Sequence, residues 1–304
     1  MQFLLFLVIA PLVTGVIRTM KARLQTRRGP AILQPYRDLF KLMRKGMIIP
    51  DTASWLFSVT PYVVFLTAAI VGLMIPMVVT AAPFSLFGGV LAVVYLLALG
   101  RFFLALGGLD TGTSFGGLGS SREMTISAIA EPAMMFAIFT VAISANSTNL
   151  TEMAKFAVSQ SWRFLAPSQI LAFGALFIVL VAETGRIPVD NPATHLELTM
   201  IHEAMILEYS GPYLALIEWG ASLKQLVLMT LLVNTFFPFG LSSGWTAAGV
   251  GIGLGFYLIK LLIICGVVVV VETTNAKMRL FRVPELLAVA FVLGALALIS
   301  TFLF

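Results

Sequence analysis

Residues 246–271 read TAAGVGIGLGFYLIKLLIICGVVVVV, and Lys260 is the one charged residue among them. About 20 mostly apolar residues suffice to cross the hydrocarbon core of a bilayer as a helix, so this stretch predicts a membrane span. The whole chain has the same character, because 59% of its 304 residues are apolar and 11% are charged. Soluble domains are nearer to about half apolar and about a quarter charged. The sequence therefore predicts an integral membrane protein.

Outward from this stretch, the chain contains eight apolar runs of comparable length. They cover residues 2–17, 60–81, 88–108, 123–145, 166–184, 212–237, 246–271 and 285–304. The predicted fold is an all-α integral membrane protein with eight transmembrane helices, arranged as a single multi-pass membrane domain over residues 1–304.

The distribution of Lys and Arg predicts the orientation of these spans. Fourteen of these residues lie in the links after the first, third, fifth and seventh runs, and two, Lys155 and Arg163, lie in the opposite links. Because links rich in Lys and Arg stay on the cytoplasmic side, we expect four links to face the cytoplasm and both termini to lie outside. The four links are residues 18–59, 109–122, 185–211 and 272–284.

Charged residues within or at the ends of the predicted spans form a second pattern. In this orientation each lies at or on the cytoplasmic side of the mid-plane, which predicts a polar funnel open to the cytoplasm and closed outside. These residues are Arg101, Glu131, Glu183, Glu218, Lys224, Lys260 and Glu272. Because a charge in lipid is costly, such residues are candidate proton carriers, and a proton would have to leave sideways into a neighbouring protein of the same complex. The alternative is a set of paired structural charges.

The link 18–59 is strongly basic and has an amphipathic segment. Residues 36–45 alternate apolar side chains with Arg37 and other charged residues, which predicts a helix at the membrane surface. Lipid anchoring and docking of an acidic soluble partner both fit this pattern. Docking would use the guanidinium groups of Arg27, Arg28 and Arg37, which can pair with partner carboxylates.

The link 185–211 gathers acidic residues. They are Asp190, Glu197, Glu203 and Glu208. If they lie at the mouth of the funnel, they would share protons with it; the alternative is a solvated acidic face that contacts a partner. His195 and His202 lie in the same link without a third histidine or a thiolate, so no metal site is predicted there.

Several other classes of protein are excluded or disfavoured by composition. A single cysteine and two histidines cannot ligate an iron–sulfur cluster within the chain. The glycine-rich link 109–122 lacks the Lys-Ser/Thr of a phosphate loop, and its Ser120-x-x-Glu123 is a capping-box pattern that predicts the start of the fourth span. The basic residues are concentrated between Arg18 and Lys45, a block that indicates membrane orientation, so no nucleic-acid partner is predicted.

Several motifs resemble those of a known family. They are Arg27-Arg28-Gly29-Pro30, Ala182-Glu183-Thr184-Gly185-Arg186-Ile187-Pro188-Val189-Asp190, Glu197-Leu198 and Glu208-Tyr209-Ser210-Gly211. Over essentially its whole length the chain resembles the subunit 1 family of respiratory complex I, the NADH dehydrogenase. Further motifs resemble the branch in group 4 membrane-bound [NiFe] hydrogenases of the formate hydrogenlyase and hydrogenase-4 type. These are Gln34-x-Tyr36-Arg37-Asp38, Leu109-Asp110-Thr111-Gly112, Ser121-Arg122-Glu123 and Trp219-Gly220-x-Ser222-Leu223-Lys224-Gln225.

The resemblance implies a membrane subunit without a cofactor of its own. Such a subunit joins soluble hydrogenase-like large and small subunits, which carry iron–sulfur clusters and a nickel–iron centre, to antiporter-like membrane subunits. It sits in the lipid bilayer of a prokaryotic plasma (inner) membrane, and its buried glutamates begin a lateral path for protons or sodium ions. The resemblance together with the charge pattern assigns the proton path to Arg101, Glu131, Glu183, Asp190, Glu197, Glu203, Glu208, Glu218, Lys224 and Lys260. Docking of the soluble arm is assigned to Arg27, Arg28, Arg37, Asp38, Asp110, Arg122 and Arg186.

The chain departs from the complex I pattern in the link 185–211. Ala193 and His195 stand where acidic residues are usual, and Val189 stands where phenylalanine is usual. That loop helps to line the quinone chamber of complex I, so these departures argue against quinone binding. Alternative functions are the quinone-site membrane subunit of an NADH:quinone oxidoreductase, a stand-alone ion transporter and a purely structural anchor.

Overall fold

The computed structural model describes residues 2–80, 88–159, 166–191, 200–242 and 247–303. In this part the chain forms eleven α-helices and a 3₁₀ turn at Leu280–Arg282. The helices are α1 (Gln2–Leu24), α2 (Gln34–Met43), α3 (Trp55–Met74), α4 (Val90–Asp110), α5 (Ser114–Ser144), α6 (Leu150–Ser159), α7 (Pro167–Glu183), α8 (His202–Ile206), α9 (Gly211–Phe236), α10 (Ala247–Thr274) and α11 (Val283–Leu303). β-Pairing in the described residues is limited to two isolated bridges. The predicted all-α class is confirmed.

Seven of the described helices are long and apolar enough to cross a membrane. They are α1, α3, α4, α5, α9, α10 and α11, and each overlaps one of the predicted runs. The remaining predicted run, 166–184, coincides with α7, which has 17 residues. At 1.5 Å per residue α7 is about 26 Å long, slightly less than the roughly 30 Å hydrocarbon core. The chain is a multi-pass membrane protein.

The start of α5 differs from the prediction. Its N-cap is Thr113, whose hydroxyl accepts a hydrogen bond from the Gly116 backbone N–H at 3.3 Å. The sequence instead indicated a start near Ser120 and Glu123, which lie inside the helix. Ser120 Oγ donates to the Ala105 carbonyl at 2.8 Å, so it joins α5 to α4 rather than capping a helix.

The glycines of this segment serve close packing. A Cβ on Gly116 would lie 2.1 Å from the Gly108 carbonyl oxygen, and one on Gly119 would lie 2.9 Å from the Ala204 Cβ. These contacts bring α5 directly against α4 and α8. The glycines that suggested a loop are therefore needed for close helix packing. Membrane helices commonly use small residues at such contacts.

The spanning helices form two packed groups. The first group consists of α5, α7 and α11, and the second consists of α3, α4 and α9. Contacts between α4 and α5 join the two groups, and α1 packs against α9 and α10. The main core is formed by apolar side chains of these helices, including Ile17, Met134, Leu176 and Leu231.

Hydrogen bonds and ion pairs sort the links into two sets at opposite ends of the bundle. At one end, the Ser54 N–H donates to Asp110 at 2.7 Å and Lys21 pairs with Glu272 at 2.8 Å. At the other end, the Thr80 N–H donates to the Ser242 carbonyl at 3.0 Å. The described residues of the links 18–59, 109–122, 185–211 and 272–284 meet at the first end. We call it the basic end, because these links contain fourteen Lys and Arg residues.

The amphipathic segment of the first link forms α2, as predicted. It returns along α1, where a Cβ on Gly15 would collide with the Ile32 carbonyl and the Tyr36 hydroxyl donates to the Val8 carbonyl. Phe40 and Met43 are exposed on the outer side of α2. The helix therefore packs against the bundle and presents an apolar side outward.

Candidate functional site

A cavity of about 640 Å³ opens at the basic end and is lined by residues of α1, α2, α3, α4, α8, α9 and α10, by the end of α7 and by the segment that follows α7. We call it the polar cavity. Part of its wall is apolar, with Val64, Leu97 and Ile217, while the rest is densely charged. The charged and titratable lining residues are Arg18, Lys21, Arg27, Arg28, Asp38, Arg101, Glu183, Arg186, Asp190, His202, Glu203, Glu218, Lys224 and Glu272.

Four charged side chains from four helices form a central cluster: Arg101, Glu183 and Lys224 line this cavity, and Glu131 pairs with Arg101 without lining it. Glu183 lies between two cations, because it accepts from Arg101 and pairs with Lys224 Nζ at 2.8 Å. Arg101 in turn lies between two carboxylates, since its Nη2 is 3.0 Å from Glu131 Oε1. The side chains of Arg101 and Glu183 are each 2% exposed, whereas that of Glu131 is 32% exposed.

Two glycine positions explain how these charges meet. Glu183 ends α7, and the chain then turns through Gly185 at φ +58°. Gly100 precedes Arg101, and a Cβ there would lie 2.5 Å from the Thr67 hydroxyl of α3. The close approach of α3 and α4 directs the following arginine toward α7 and α9.

A second charged group lies nearer the cavity mouth. Arg186 donates to Glu272 at 2.6 Å and to the Gln225 side-chain carbonyl at 2.8 Å. Lys21 pairs with the other oxygen of Glu272 at 2.8 Å. This mouth group ties together the ends of α1, α7 and α10 that are predicted to be cytoplasmic.

The central and mouth groups leave polar atoms without hydrogen-bond partners. Within the described part of the chain, the buried Nε atoms of Arg101 and Arg186 donate no hydrogen bond. Both side chains line the polar cavity. Buried donors of this kind are commonly satisfied by internal water, so the charge distribution fits a hydrated cavity.

Comparison with known proteins places this arrangement in a family. The family model described as NADH dehydrogenase matches residues 1–303. The chain belongs to the NADH dehydrogenase family. Hydrogenase-4 component C of Escherichia coli K12 is 36% identical over 297 residues, covering 97% of this chain and 92% of that protein. Formate hydrogenlyase subunit 4 of the same organism is 34% identical over 303 residues, covering 98% and 96%.

More distant members of the family come from NADH-quinone oxidoreductases. The matching subunit of the NADH-quinone oxidoreductase of Rubrobacter xylanophilus is 28% identical over 240 residues, covering 77% of this chain and 71% of that protein. One chain of the membrane-bound sulfane sulfur reductase, an archaeal respiratory membrane complex, has the same fold, with a TM-score of 0.86 over 99% of this chain and 98% of that one, at 19% identity. The expected kinship is confirmed: this is a complex I-like membrane subunit.

Most of the residues that the sequence assigned to a proton path line the polar cavity. Glu203 and Glu218 line it, and Asp190 lies in its wall, paired with Lys277 at 2.7 Å. Glu208 is exposed beside α9 and does not line the cavity. Glu197 and His195 lie outside the described residues.

Lys260 lies apart from the central cluster. Its Nζ donates to Asn234 Oδ1 at 2.9 Å and to the Phe237 carbonyl at 3.0 Å. Asn234 donates in turn to the carbonyls of Pro76 and Met77, both at 2.9 Å. The structure thus separates Lys260 from the acids with which the sequence grouped it, and places it where α9, α10 and the end of α3 meet.

The seven residues assigned to docking occupy different environments. Arg27 and Arg28 are exposed at the mouth of the polar cavity, and Arg37 is exposed on α2. Asp38 lines the cavity and accepts from Gln34 Nε2 at 2.8 Å.

The other three docking candidates are held by the chain itself. Asp110 accepts from the Ser54 N–H and hydroxyl, both at 2.7 Å, at the start of α3. Arg122 donates to the Met200 carbonyl at 2.7 Å. Arg186 is largely buried in the mouth group, so its position differs most from that of a surface docking residue.

One pair was not identified from the sequence. Glu123 of α5 is 3% exposed, and its Oε2 lies 3.4 Å from His202 Nδ1 of α8. The sequence indicated a helix cap for Glu123 and only a rejected metal ligand for His202. The position of Glu123, an acid near the start of an apolar helix, could have indicated a buried polar site. Its partner His202 lies in a distant link, so the pair could not be identified from sequence spacing.

Proposed function

We propose that this chain is the membrane subunit of a group 4 [NiFe] hydrogenase-type complex and that it passes protons, or sodium ions, from the polar cavity sideways to antiporter-like subunits. The kinship with hydrogenase-4 component C and formate hydrogenlyase subunit 4 supports the type of complex. The partners would be soluble large and small subunits that hold iron–sulfur clusters and a nickel–iron centre.

One observation carries the lateral path. Arg101 joins Glu183, which lies on the polar cavity, to Glu131, which is partly exposed at the perimeter of the bundle. Glu131 lies on the same side of α5 as the exposed residues Met124 and Ala128. A carboxylate facing hydrocarbon is costly, so we expect a polar surface of another membrane subunit to cover Glu131.

The proposed topology has eight spans with both termini outside. Seven candidate spans support it directly, and α7 completes the alternation because its C-terminal end joins those of α1 and α10 in the mouth group. The fourteen Lys and Arg residues of the links at the basic end support a cytoplasmic location for that end. The membrane would be a prokaryotic plasma membrane.

The proposed docking surface for the soluble arm surrounds the cavity mouth. Arg27 and Arg28 are exposed there, and Arg37 is exposed on α2. Arginine can bind partner carboxylates through two parallel hydrogen bonds. Asp38, Asp110 and Arg122 would shape this surface through their contacts with α2, α3 and the segment before α8. Arg186 would support the surface from beneath.

The decisive experiment separates electron transfer from ion movement. Glu183→Gln and Glu131→Gln keep the shape of each side chain but remove its charge and its proton-carrying capacity. In the purified complex reconstituted into vesicles, we expect both variants to reduce a soluble acceptor and to lose pumping. Glu152→Gln is the matched control, because Glu152 is more than half exposed in a surface pair with Lys155. Full pumping by both cluster variants would contradict the proposal and would indicate that the chain is a purely structural anchor.

The second candidate function is that of the quinone-site membrane subunit of an NADH:quinone oxidoreductase. The apolar wall of the polar cavity, which includes Ile17, Ala68 and Leu104, favours it. Purification in mild detergent should distinguish the two, since a nickel–iron large subunit would accompany a hydrogenase-type chain. Co-purifying quinone-reducing subunits would support the second candidate, and a chain that pumps alone would be a stand-alone transporter.

A further inference from the structure

The pair formed by Glu123 and His202 joins the polar cavity to the buried charges. The Glu123 carboxylate is 3% exposed, whereas the His202 side chain is 26% exposed and lines the cavity. Their contact distance is 3.4 Å, from Nδ1 to Oε2. The imidazole of His202 thus lines the cavity on one side. On its other side, Nδ1 contacts the Glu123 carboxylate, which does not line the cavity.

The position of His202 is fixed from three sides. Its backbone N–H donates to Asp190 Oδ2 at 3.3 Å, and Asp190 is itself held by Lys277 at 2.7 Å. A Cβ on Gly185, at φ +58°, would lie 3.6 Å from the imidazole Cγ. The ring therefore lies beside Gly185 at van der Waals distance, on a short helix that packs against α4 and α5.

The surrounding charges couple this pair to the central cluster. Lys224 of α9 and Asp190 of the 185–191 segment act on His202, together with Glu123 of α5. Glu123 interacts electrostatically with Lys224 and Arg101, and Glu183 interacts with Glu123. A change in the charge of Glu123 is therefore felt by the two cations and the carboxylate of the cluster.

We propose that His202 and Glu123 form a proton-loading pair that takes up protons from the polar cavity and couples this uptake to the charge of the central cluster. The proposal rests on the proposed function and adds the point at which the path is loaded. Neither residue belongs to the path assigned from the sequence.

The loading step moves one proton and changes only N–H and O–H bonds. The neutral ring keeps its Nδ1 proton toward Glu123 Oε2 and takes a second proton on Nε2 from hydronium in the cavity, which becomes water. Release of that proton reverses the step, and the Glu123 carboxylate stays ionised throughout. The protonated ring offsets the negative charge of Glu123, which otherwise acts on Arg101 and Lys224, so the cluster responds to each proton loaded.

Histidine suits this role because its protonation changes near neutral pH. Burial has the largest single effect and lowers the pKa of His202, as does the charge of Lys224, but Glu123 and Asp190 together raise it by more, so the net pKa lies above the usual 6.5. The protonated ring is thus favoured beside Glu123. The ion pair of protonated His202 with Glu123 holds α8 against α5. Its stabilising contribution is fully present below about pH 6.5 and is lost as the pH rises through the raised pKa of His202.

The test uses the assembled complex in vesicles, with pumping and electron transfer measured from about pH 6 to about pH 9. His202→Gln keeps a hydrogen-bond donor for Glu123 but cannot carry a proton. We expect electron transfer to persist and pumping to fall at least about tenfold. Glu123→Gln should behave alike, and Glu152→Gln should pump as the wild type does.

Chemical rescue separates proton transfer from packing. In His202→Ala, imidazole added to the medium can enter the polar cavity and should restore much of the pumping, whereas it should not rescue Glu123→Gln. Wild-type pumping by His202→Gln across the pH range, or an assembled His202→Ala complex that imidazole does not rescue, would overturn the proposal. If Glu183→Gln and Glu131→Gln lose pumping while His202→Gln does not, only the loading pair is wrong.

A measurement on the unchanged protein guards against variants that fail to assemble. The chain has two histidines, so nitrogen-15 labelled imidazoles of the intact complex can be followed by solid-state NMR. The His202 signal should change between protonated and neutral forms within the pH range of pumping. A ring that keeps one protonation state throughout would contradict the proposed role.

Discussion

Glu183 illustrates, at the scale of single residues, how the membrane interior accommodates a carboxylate. Its side chain is 2% exposed and is balanced by Arg101 and Lys224. Removing one member of a buried ion pair typically costs about 3–5 kcal/mol, because the other charge is left without compensation. The central cluster should therefore behave as one unit, and single substitutions should cost more than their individual contacts.

Lys224→Met tests this unit. We expect the variant to lose about 3 kcal/mol of unfolding free energy, because Glu183 would retain one of its two cations. Lys224→Met combined with Glu183→Gln should recover part of the loss, which a double-mutant cycle of thermal stability measures. Lys155→Met is the control, since exposed pairs contribute about 0–1 kcal/mol. Strictly additive effects would show that the two residues do not act together.

Lys260 illustrates the opposite case, a membrane-depth cation without a carboxylate partner in the described part of the chain. It binds the Asn234 side chain and the carbonyl of Phe237, the C-cap of α9. A cation at the C-terminal end of a helix is favourable because the peptide dipoles leave that end partly negative. This environment indicates a tie between α9 and α10.

Lys260→Met should therefore affect stability rather than pumping. Loss of the ammonium removes one hydrogen-bond donor from each of two carbonyl oxygens, at a cost of about 1–3 kcal/mol. Hydrogen exchange should rise at residues 234–242 and the melting temperature should fall, while the assembled complex keeps pumping. Lost pumping at unchanged stability would return Lys260 to the proton path predicted from the sequence.

At the scale of elements, the N-terminal part of α5 explains where the sequence-based boundary was wrong. The segment is rich in glycine and serine, which ordinarily indicates a loop. Gly116 and Gly119 instead lie so close to backbone and side-chain atoms of α4 and α8 that a Cβ at either position would clash with them. Tertiary packing therefore overrides the low helix propensity of these residues.

Two glycine substitutions in α5 separate packing from propensity. Gly119→Val should destabilise the protein by about 1–3 kcal/mol, because a Cβ there lies 2.9 Å from both the Ala204 Cβ and the Ile201 carbonyl oxygen. It should also weaken the contact of His202 with Glu123 by displacing α8. Gly117→Ala is the matched control, since a Cβ on Gly117 meets nothing within 4 Å and should stabilise the helix by about 0.5–1 kcal/mol. Equal melting temperatures for the two variants would contradict close packing of α8.

At the scale of the whole molecule, the two ends of the bundle differ in charge and in contacts. The links at the basic end carry fourteen Lys and Arg residues and interlock through ion pairs and hydrogen bonds. Among the described residues, the opposite end is joined mainly by backbone hydrogen bonds, such as that of Leu150 with Gly88 at 2.9 Å. This asymmetry is the physical basis of the predicted orientation.

Cysteine labelling from outside sealed cells tests the orientation. The native Cys265 is buried, so an impermeant reagent should report introduced cysteines. We expect Ser147→Cys to be labelled and Thr26→Cys to be protected until the membrane is opened. Labelling of the second variant in intact cells would reverse the assignment of the basic end to the cytoplasm.

Charge reversal at the cavity mouth tests docking. Arg28→Glu should release the soluble subunits while the chain stays in the membrane, because like charges then face each other across the contact. Subunit retention is measured by purification in mild detergent, with Arg163→Glu as a control in a link predicted to face outside. A complex that remains assembled but loses activity would show that Arg28 has a role other than docking.

The sequence by itself determined the membrane class, the approximate positions of the spanning helices and the amphipathic helix before the second span. It did so because about 20 apolar residues in a row have no other stable environment than lipid or a large core, and this information is local. Family kinship was equally accessible, since motifs such as Glu183 to Asp190 are contiguous.

Only the tertiary structure decided which charges meet. Glu183 is joined to Arg101 and Lys224 from α4 and α9, Glu123 is joined to His202, and Lys260 is directed away from all of them. Depth in the membrane follows from position along one helix, but partnership depends on how helices are rotated against each other. That rotation is set by small residues such as Gly100 and Gly119 at the contacts, so the pairs could not be read from the spacing of the charges.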